Sequence, residues 1–278
     1  MRLIKEKDIT DTVAKLAIDV NHFLPYDVVS MIKECAKKES NKKAKNVLYK
    51  IIENYKKAKQ GVYPLCQDTG IVVVFVEIGS EVNVSGDIYR AINSGIEIGY
   101  KNGYLRKSTA NPLTRINFQT NSPAIIHIDV VHGTKLKISL LAKGAGAENK
   151  SAVKMLTPAD GINGIMEFVL DTVKKAGASA CPPYIIGIGI GGNLETAPLL
   201  AKKALLMNLK ETNKDGQLAE LEKILLKKIN GLKIGALGLG GDTTALCVKI
   251  KSAPCHIASL PVAVNIQCHS ARHKTACI

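Results

Sequence analysis

Pro64-Leu65-Cys66-Gln67-Asp68-Thr69-Gly70 sets a thiol, a carboxamide, a carboxylate and a hydroxyl in a row, directly ahead of the apolar run Ile71 to Val76. Such a row can hold a metal and a polar substrate side by side. Two distant stretches are of similar make-up: Ala180-Cys181-Pro182-Pro183, ahead of a glycine-rich turn, and Gln267-Cys268-His269-Ser270-Ala271-Arg272-His273. A lone cysteine is most often a small buried hydrophobe. The neighbours argue otherwise here, because a core strand has little use for Gln67 and Asp68 beside one thiol, or for His269, Arg272 and His273 around another. Clustered polar groups must be satisfied or functional. The expectation is a fold that brings Cys66, Cys181 and Cys268 to one point. A zinc reading of Cys268 with His269 and His273 is weak, since the paired C-x2-C knuckle is absent.

Seven cysteines, an odd number without close regular spacing, point to metal or catalysis rather than a disulfide framework. The net charge of +14 invites a nucleic-acid reading. Against it, only five of the 38 basic residues are arginine, tryptophan is absent, and no stacking motif of an RNA-binding module occurs. The lysines fall mostly on predicted helix faces such as Lys42 to Lys59, and their field would draw a dianionic substrate or an acidic partner. Arg106 and Arg272 stand out in this background, because arginine clamps carboxylates bidentately. No signal peptide is expected after the mixed charges of residues 1–8, and the longest charge-free stretches are broken by proline and glycine. The chain is expected to be cytoplasmic, with no membrane contact.

These residues need elements to hold them. From Ile9 to Gln60 apolar residues recur at three- and four-residue steps, which predicts a helical lobe over residues 1–61 containing Cys35 as a core thiol. Asp87 to Lys101 reads as a helix stopped by Gly103. The polar loop carrying Arg106 follows. Then come two strands, Ala124 to Val130 and Lys135 to Leu140, joined by a hairpin turn at His132-Gly133-Thr134, the second of them wet on one side. His127 on the first strand reads as structural. Gly144 and Gly146 allow close approach of backbone to a ligand, and Pro158 opens a helix closed by Gly177. Gly187, Gly189 and Gly192 fit G-x-G-x-x-G formally. Gly238-Leu239-Gly240-Gly241-Asp242 repeats the G-x-G-G-[ND] pattern, so the pair suggests two backbone approaches whose amides bind an anion. Helices follow over Leu194 to Met207 and Leu218 to Ile229, and strands over Ala245 to Ile250 and Ser259 to Ile266.

Taken together, Cys66 to Gly70, Gly144 to Asn149, Gly189 to Asn193, Gly238 to Asp242 and Cys268 to His273 resemble the α subunit, or N-terminal half, of the class I, iron-sulfur-dependent fumarate hydratases and the related L-tartrate dehydratases. The resemblance covers nearly the whole chain. It implies an α+β fold of the class I fumarase N-terminal-domain type, with a helical lobe packed on mixed β-sheets with interleaved helices. Residues 1–278 would form one hydro-lyase α-type domain, of which 62–278 are the cluster-binding body. It further implies a [4Fe-4S] cluster on Cys66, Cys181 and Cys268, with one iron left open as a Lewis acid. Asp68 and His256 would be catalytic, and Gln67, Arg106, Gly144 and Gly146 would bind a small dicarboxylate. Cys247, Cys255 and Cys277 match no ligand position. Fused relatives continue into a second domain, so a separate β subunit, in an α2β2 assembly, is expected to complete the site. The activity implied is reversible hydration of fumarate to L-malate, with L-tartrate dehydration as the alternative; a nucleotide- or nucleic-acid-binding module is the alternative of another class.

Overall fold

Apolar residues at helical spacing build α1 (Glu6–His22), which buries Ile9, Val13, Leu16, Ala17 and Val20 on one face. Ahead of it lies the short strand β1 (Arg2–Lys5), and after it α2 (Tyr26–Lys38) and α3 (Lys42–Ala58). The computed structural model describes residues 2–278. Contacts divide the chain into two units: Met1–Pro25, Asn54–Ala145 and Arg272–Ile278 in one, Tyr26–Glu53 and Gly146–Ala271 in the other. The architecture is α+β.

In the first unit, β2 (Ile71–Gly79) continues through β3 (Val82–Ser85) into α4 (Ile88–Asn102), whose N-cap Asp87 accepts from the Tyr89 and Arg90 amides and whose C-cap is Gly103. α4 lies directly on α1. A Cβ on Gly95 would stand 2.6 Å from the Thr10 carbonyl oxygen, and one on Gly99 2.6 Å from that of Ala14, so these glycines set the helix spacing. β4 (Ile125–Val131) and β5 (Leu136–Lys143) follow, and β10 (His273–Cys277) completes a four-stranded sheet in the order β10-β5-β2-β4. The expected hairpin is corrected here. β4 is parallel and β5 antiparallel to β2, which lies between them. The uninterrupted apolar run of β2 makes it the central strand, and the His132 turn carries the chain across it. On β5, Leu136, Ile138 and Leu140 are buried while Lys137 on the other face stays partly exposed beside Glu77; farther along that face Ser139 is buried and shares a 2.8 Å hydrogen bond with Thr275 of β10.

The second unit repeats this plan. After α5 (Ala145–Glu148) come β6 (Ala152–Leu156), α6 (Gly161–Ala176), β7 (Tyr184–Gly191), α7 (Thr196–Ala204), α8 (Gly216–Gly231), β8 (Ala245–Ala253) and β9 (Leu260–Gln267). Its sheet runs β6-β9-β7-β8, with β8 parallel and β9 antiparallel to central β7. Each outermost antiparallel strand comes from the segment that follows the other sheet's inner strand. β6 follows β5 but pairs with β9; β10 follows β9 but pairs with β5. Cys66 and Cys181 both precede a central strand, whereas Gly144 and Cys268 stand where the chain leaves one sheet for the other.

Candidate active site

In the first unit the Cys66 stretch is held from several sides. The Leu65 amide donates to the Asn21 carbonyl (2.8 Å) and Asn54 Nδ2 to the Leu65 carbonyl (3.0 Å), leaving the Cys66 thiol half-buried and Gln67 exposed. The thiol donates to Gln67 Oε1 at 3.6 Å. Both oxygens of the Asp68 carboxylate accept backbone N–H groups, from Gly70 (3.0 Å) and from Ala145 (2.9 Å). Asp68 therefore ties the approach to β2 to the end of β5, with its orientation fixed and lone pairs to spare. The junction leaves little room for a side chain at Gly144, since a Cβ there would stand 3.1 Å from Asp68 Oδ2 and 3.2 Å from Arg272 Nη2.

Arg272 departs from its expected role. It is only 1% exposed, and Nη1 donates to the Asp68 carbonyl oxygen and to Asn21 Oδ1 (3.2 Å). A guanidinium committed to these acceptors is a strut beneath Asp68, not a clamp for a substrate carboxylate. Arg106 is exposed, at the start of a loop anchored by Thr69 Oγ1, which donates to the Arg106 carbonyl (2.7 Å). Buried Asn121 pins the far end, accepting from the Ser108 amide (2.6 Å) and donating to the Gly70 carbonyl (3.1 Å). Tyr100 OH donates to the Thr69 carbonyl (2.9 Å), and burial pushes its hydroxyl up to about 12, with the Arg272 charge pulling the other way. Sequence reasoning passed over Tyr100 and Asn121. Their only signal was a hydroxyl on the apolar face of an amphipathic helix and a carboxamide in a polar loop.

In the second unit the structure brings Cys181 and Cys268 into one neighbourhood. The Cys181 carbonyl accepts from the His269 backbone (3.4 Å) and pairs with His269 Nδ1 (3.1 Å). Burial pushes the Tyr184 hydroxyl up to about 12, and negative charge on Cys181 and Cys268 acts in the same direction. Cys181 is exposed, at positive φ (55°), and Cys268 half-buried; both are accessible enough to act as ligands. Gly146 is exposed. His256 is exposed in the turn between β8 and β9, where its Nδ1 accepts from the Ala258 amide (3.1 Å), and its hydrogen bonds close within that turn.

The remaining thiols divide by burial. Cys247 is buried in β8 and its thiol is pushed up to about 12 by desolvation; Cys35 on α2 is half-buried, not a fully buried core thiol, and is raised for the same reason. Cys255 and Cys277 are exposed. Among the described residues no three His, Cys, Asp or Glu side chains are arranged around a single metal ion. A four-iron cluster is wider than an ion, and the thiol pair of Cys181 and Cys268 suits its soft iron.

Neither glycine run is a dinucleotide loop, and Gly187 to Gly191, expected as a turn, are part of strand β7. Cβ atoms on Gly187 and Gly189 would stand 2.2 and 2.0 Å from the Ala201 and Ala197 carbonyl oxygens of α7, so these glycines let the helix lie on β7. Asn193 Oδ1 caps that helix, accepting from Thr196 N (2.8 Å) and Thr196 Oγ1 (2.7 Å). The Gly238 turn does bind an anion, but from within the chain. Glu39, 3% exposed, accepts from the amides of Asp242 (2.9 and 3.0 Å) and Thr243 (3.1 Å).

Residues 10–277 match the family model described as fumarate hydratase (Fumerase). The chain belongs to that family. It is 48% identical over 271 residues, 95% of each chain, to a Methanocaldococcus jannaschii protein named "Putative L(+)-tartrate dehydratase subunit alpha". It is 28% identical to the L(+)-tartrate dehydratase subunit alpha of Escherichia coli K12, over 96% of this chain and 89% of that one. The match takes in all three candidate cysteines and the Asp68 junction of this fumarate hydratase family member. Among the described residues no helix is long and apolar enough to cross a membrane.

Proposed function

We propose that this chain is the α subunit of a [4Fe-4S]-dependent hydro-lyase that interconverts fumarate and L-malate, residues 1–278 acting as one α-type domain. The observation that carries the reading is the neighbourhood of Cys181 and Cys268 around Tyr184 and His269, in a chain matched to the fumarate hydratase family from end to end. Cys66, Cys181 and Cys268 would hold the cluster, whose chemistry when bound is that of a Lewis acid at the one iron without a protein thiolate.

The chain's own groups have separate tasks. Hydration adds hydroxyl to one alkene carbon and a proton to the other. Asp68, held by the Gly70 and Ala145 amides, keeps a fixed acceptor for the hydroxyl's hydrogen. His256 would share with Asp68 the task of orienting that hydroxyl or sharing its proton, Gln67 would bind substrate, and the exposed Arg106 guanidinium would grip one carboxylate. The Gly144 and Gly146 backbone would face the substrate. The second carboxylate grip and the base for the carbon-bound proton come from a β subunit in an α2β2 complex, a reading supported by the name "subunit alpha" of both relatives. Those names also support a second reading, L-tartrate dehydration on the same groups.

The deciding experiment is an anaerobic assay of the cluster-loaded chain, co-expressed with its partner, on fumarate, L-malate and both tartrates. Fumarate and malate should turn over fastest. Faster L-tartrate loss would transfer the assignment to the second reading, and a colourless protein inert to all four would sink both in favour of a binding module.

A further inference from the structure

Gln267 closes β9, and its side chain is 1% exposed. Its amide nitrogen faces three acceptors: the Ser270 carbonyl at 3.0 Å, the Cys268 carbonyl at 3.4 Å and Cys268 Sγ at 3.5 Å. Which end of a carboxamide meets a neighbour is an assignment made from the surrounding network. Here two carbonyl oxygens decide it, because Oε1 in that place would face two acceptors. The N–H therefore points at the sulfur. Oε1 itself is buried without a partner, a cost that an apolar side chain of equal size would avoid.

The surroundings of the sulfur explain what the amide does there. The Ser270 carbonyl oxygen lies 3.8 Å from Cys268 Sγ. The Gln267 amide donates to both atoms and so fixes the sulfur beside that oxygen. We infer that Gln267 is a positioning residue for the Cys268 thiolate and, resting on the reading that Cys268 is a cluster ligand, sets the cluster's potential and its lifetime in air. Hydrogen bonds to cluster sulfurs favour the more negative, reduced state, and partners of metal ligands govern metal retention.

The test uses the cluster-loaded chain with its partner subunit, comparing wild type with Gln267→Met, which keeps the bulk and removes the donor. Iron and sulfide content, midpoint potential, and loss of visible absorbance under a fixed oxygen pressure are read together. The variant should load fully, titrate at a lower potential and lose its cluster about tenfold faster. A fully loaded variant with wild-type potential and lifetime overturns the inference. Should Gln267→Met not fold, Gln267→Glu carries the same comparison, with a larger drop in potential expected from its added charge. Wild type loaded in D2O rather than water needs no variant: its iron–thiolate stretching bands should shift, and unmoved bands overturn the inference equally. Cys268→Ser separates this failure from that of the ligand reading, since a full cluster in that variant removes Cys268 from the ligand set altogether.

Discussion

At the residue scale, neighbours decide what each of the seven thiols can do. Cys66, Cys181 and Cys268 are accessible and stand among polar partners, whereas Cys247 and Cys35 are desolvated and their thiols pushed up. Cys66→Ser, Cys181→Ser and Cys268→Ser should each load little or no cluster while Cys35→Ser loads fully, and iron and sulfide analysis of the anaerobic proteins checks it. A full complement in Cys181→Ser would remove that ligand. The two buried phenols supply a pH prediction. Tyr100 and Tyr184 ionise near 12 when folded against about 10 when unfolded. Stability from keeping them neutral is fully present below about pH 10 and is lost as pH rises toward 12. An ultraviolet tyrosinate titration should show two of the eight tyrosines ionising late, together with unfolding. Ionisation of all eight near pH 10 with the fold intact would contradict the burial. Losing Arg272 should be costly, because Arg272→Met leaves the Asp68 carbonyl and Asn21 Oδ1 without their buried donor. About 3 kcal/mol of destabilisation is expected for breaking such a buried charged group's contacts, read as a thermal shift of roughly 6–12 °C.

The elements are set by close approaches that glycine makes possible. α7 lies on β7 only because Gly187 and Gly189 have no side chain. Gly189→Ala puts a methyl 2.0 Å from the Ala197 carbonyl and should cost about 1–3 kcal/mol as the helix is pushed off its strand. Gly216 at the first position of α8 has nothing within 4 Å of a new Cβ and no positive φ, so Gly216→Ala should stabilise by about 0.4–1 kcal/mol. Denaturant melts of the two variants should move in opposite directions. A common direction would mean that crowding does not control the α7 position. The loop carrying Arg106 depends in the same way on Asn121 and Thr69, whose hydrogen bonds hold both of its ends to the Cys66 stretch.

At the scale of the whole molecule, one sheet plan occurs twice, and the outermost antiparallel strand of each sheet follows the other sheet's inner strand in the chain. Removing residues 273–278 would strip β10 from β5 and leave that strand's edge open. The shortened chain should melt lower and aggregate, as light scattering during heating would show. Melting like the full chain would mean that β10 is dispensable. Because Arg272 is spent internally, Arg106 is the proposed grip for one carboxylate only, so the purified, cluster-loaded chain should turn over little until its partner is added. Full activity alone would return every catalytic task to this chain.

Local signals in the chain were enough for the main helices, the central strand β2, the three unusual cysteines and the family. Each rests on periodicity, a cap or a contiguous motif, which neighbouring residues create by themselves. The fate of the glycine turns, the β4 to β5 crossing, and the strands β6 and β10 was decided only in three dimensions. A short polar strand is stabilised by a partner more than a hundred residues away, and a glycine's purpose lies in the backbone opposite it. The same holds for polar residues such as Arg272 and Gln267. The sequence shows that a guanidinium and an amide are present, but only the tertiary structure shows that one supports Asp68 from below and the other points its N–H at the Cys268 sulfur, since those partners are chosen by burial that excludes water from every competing acceptor.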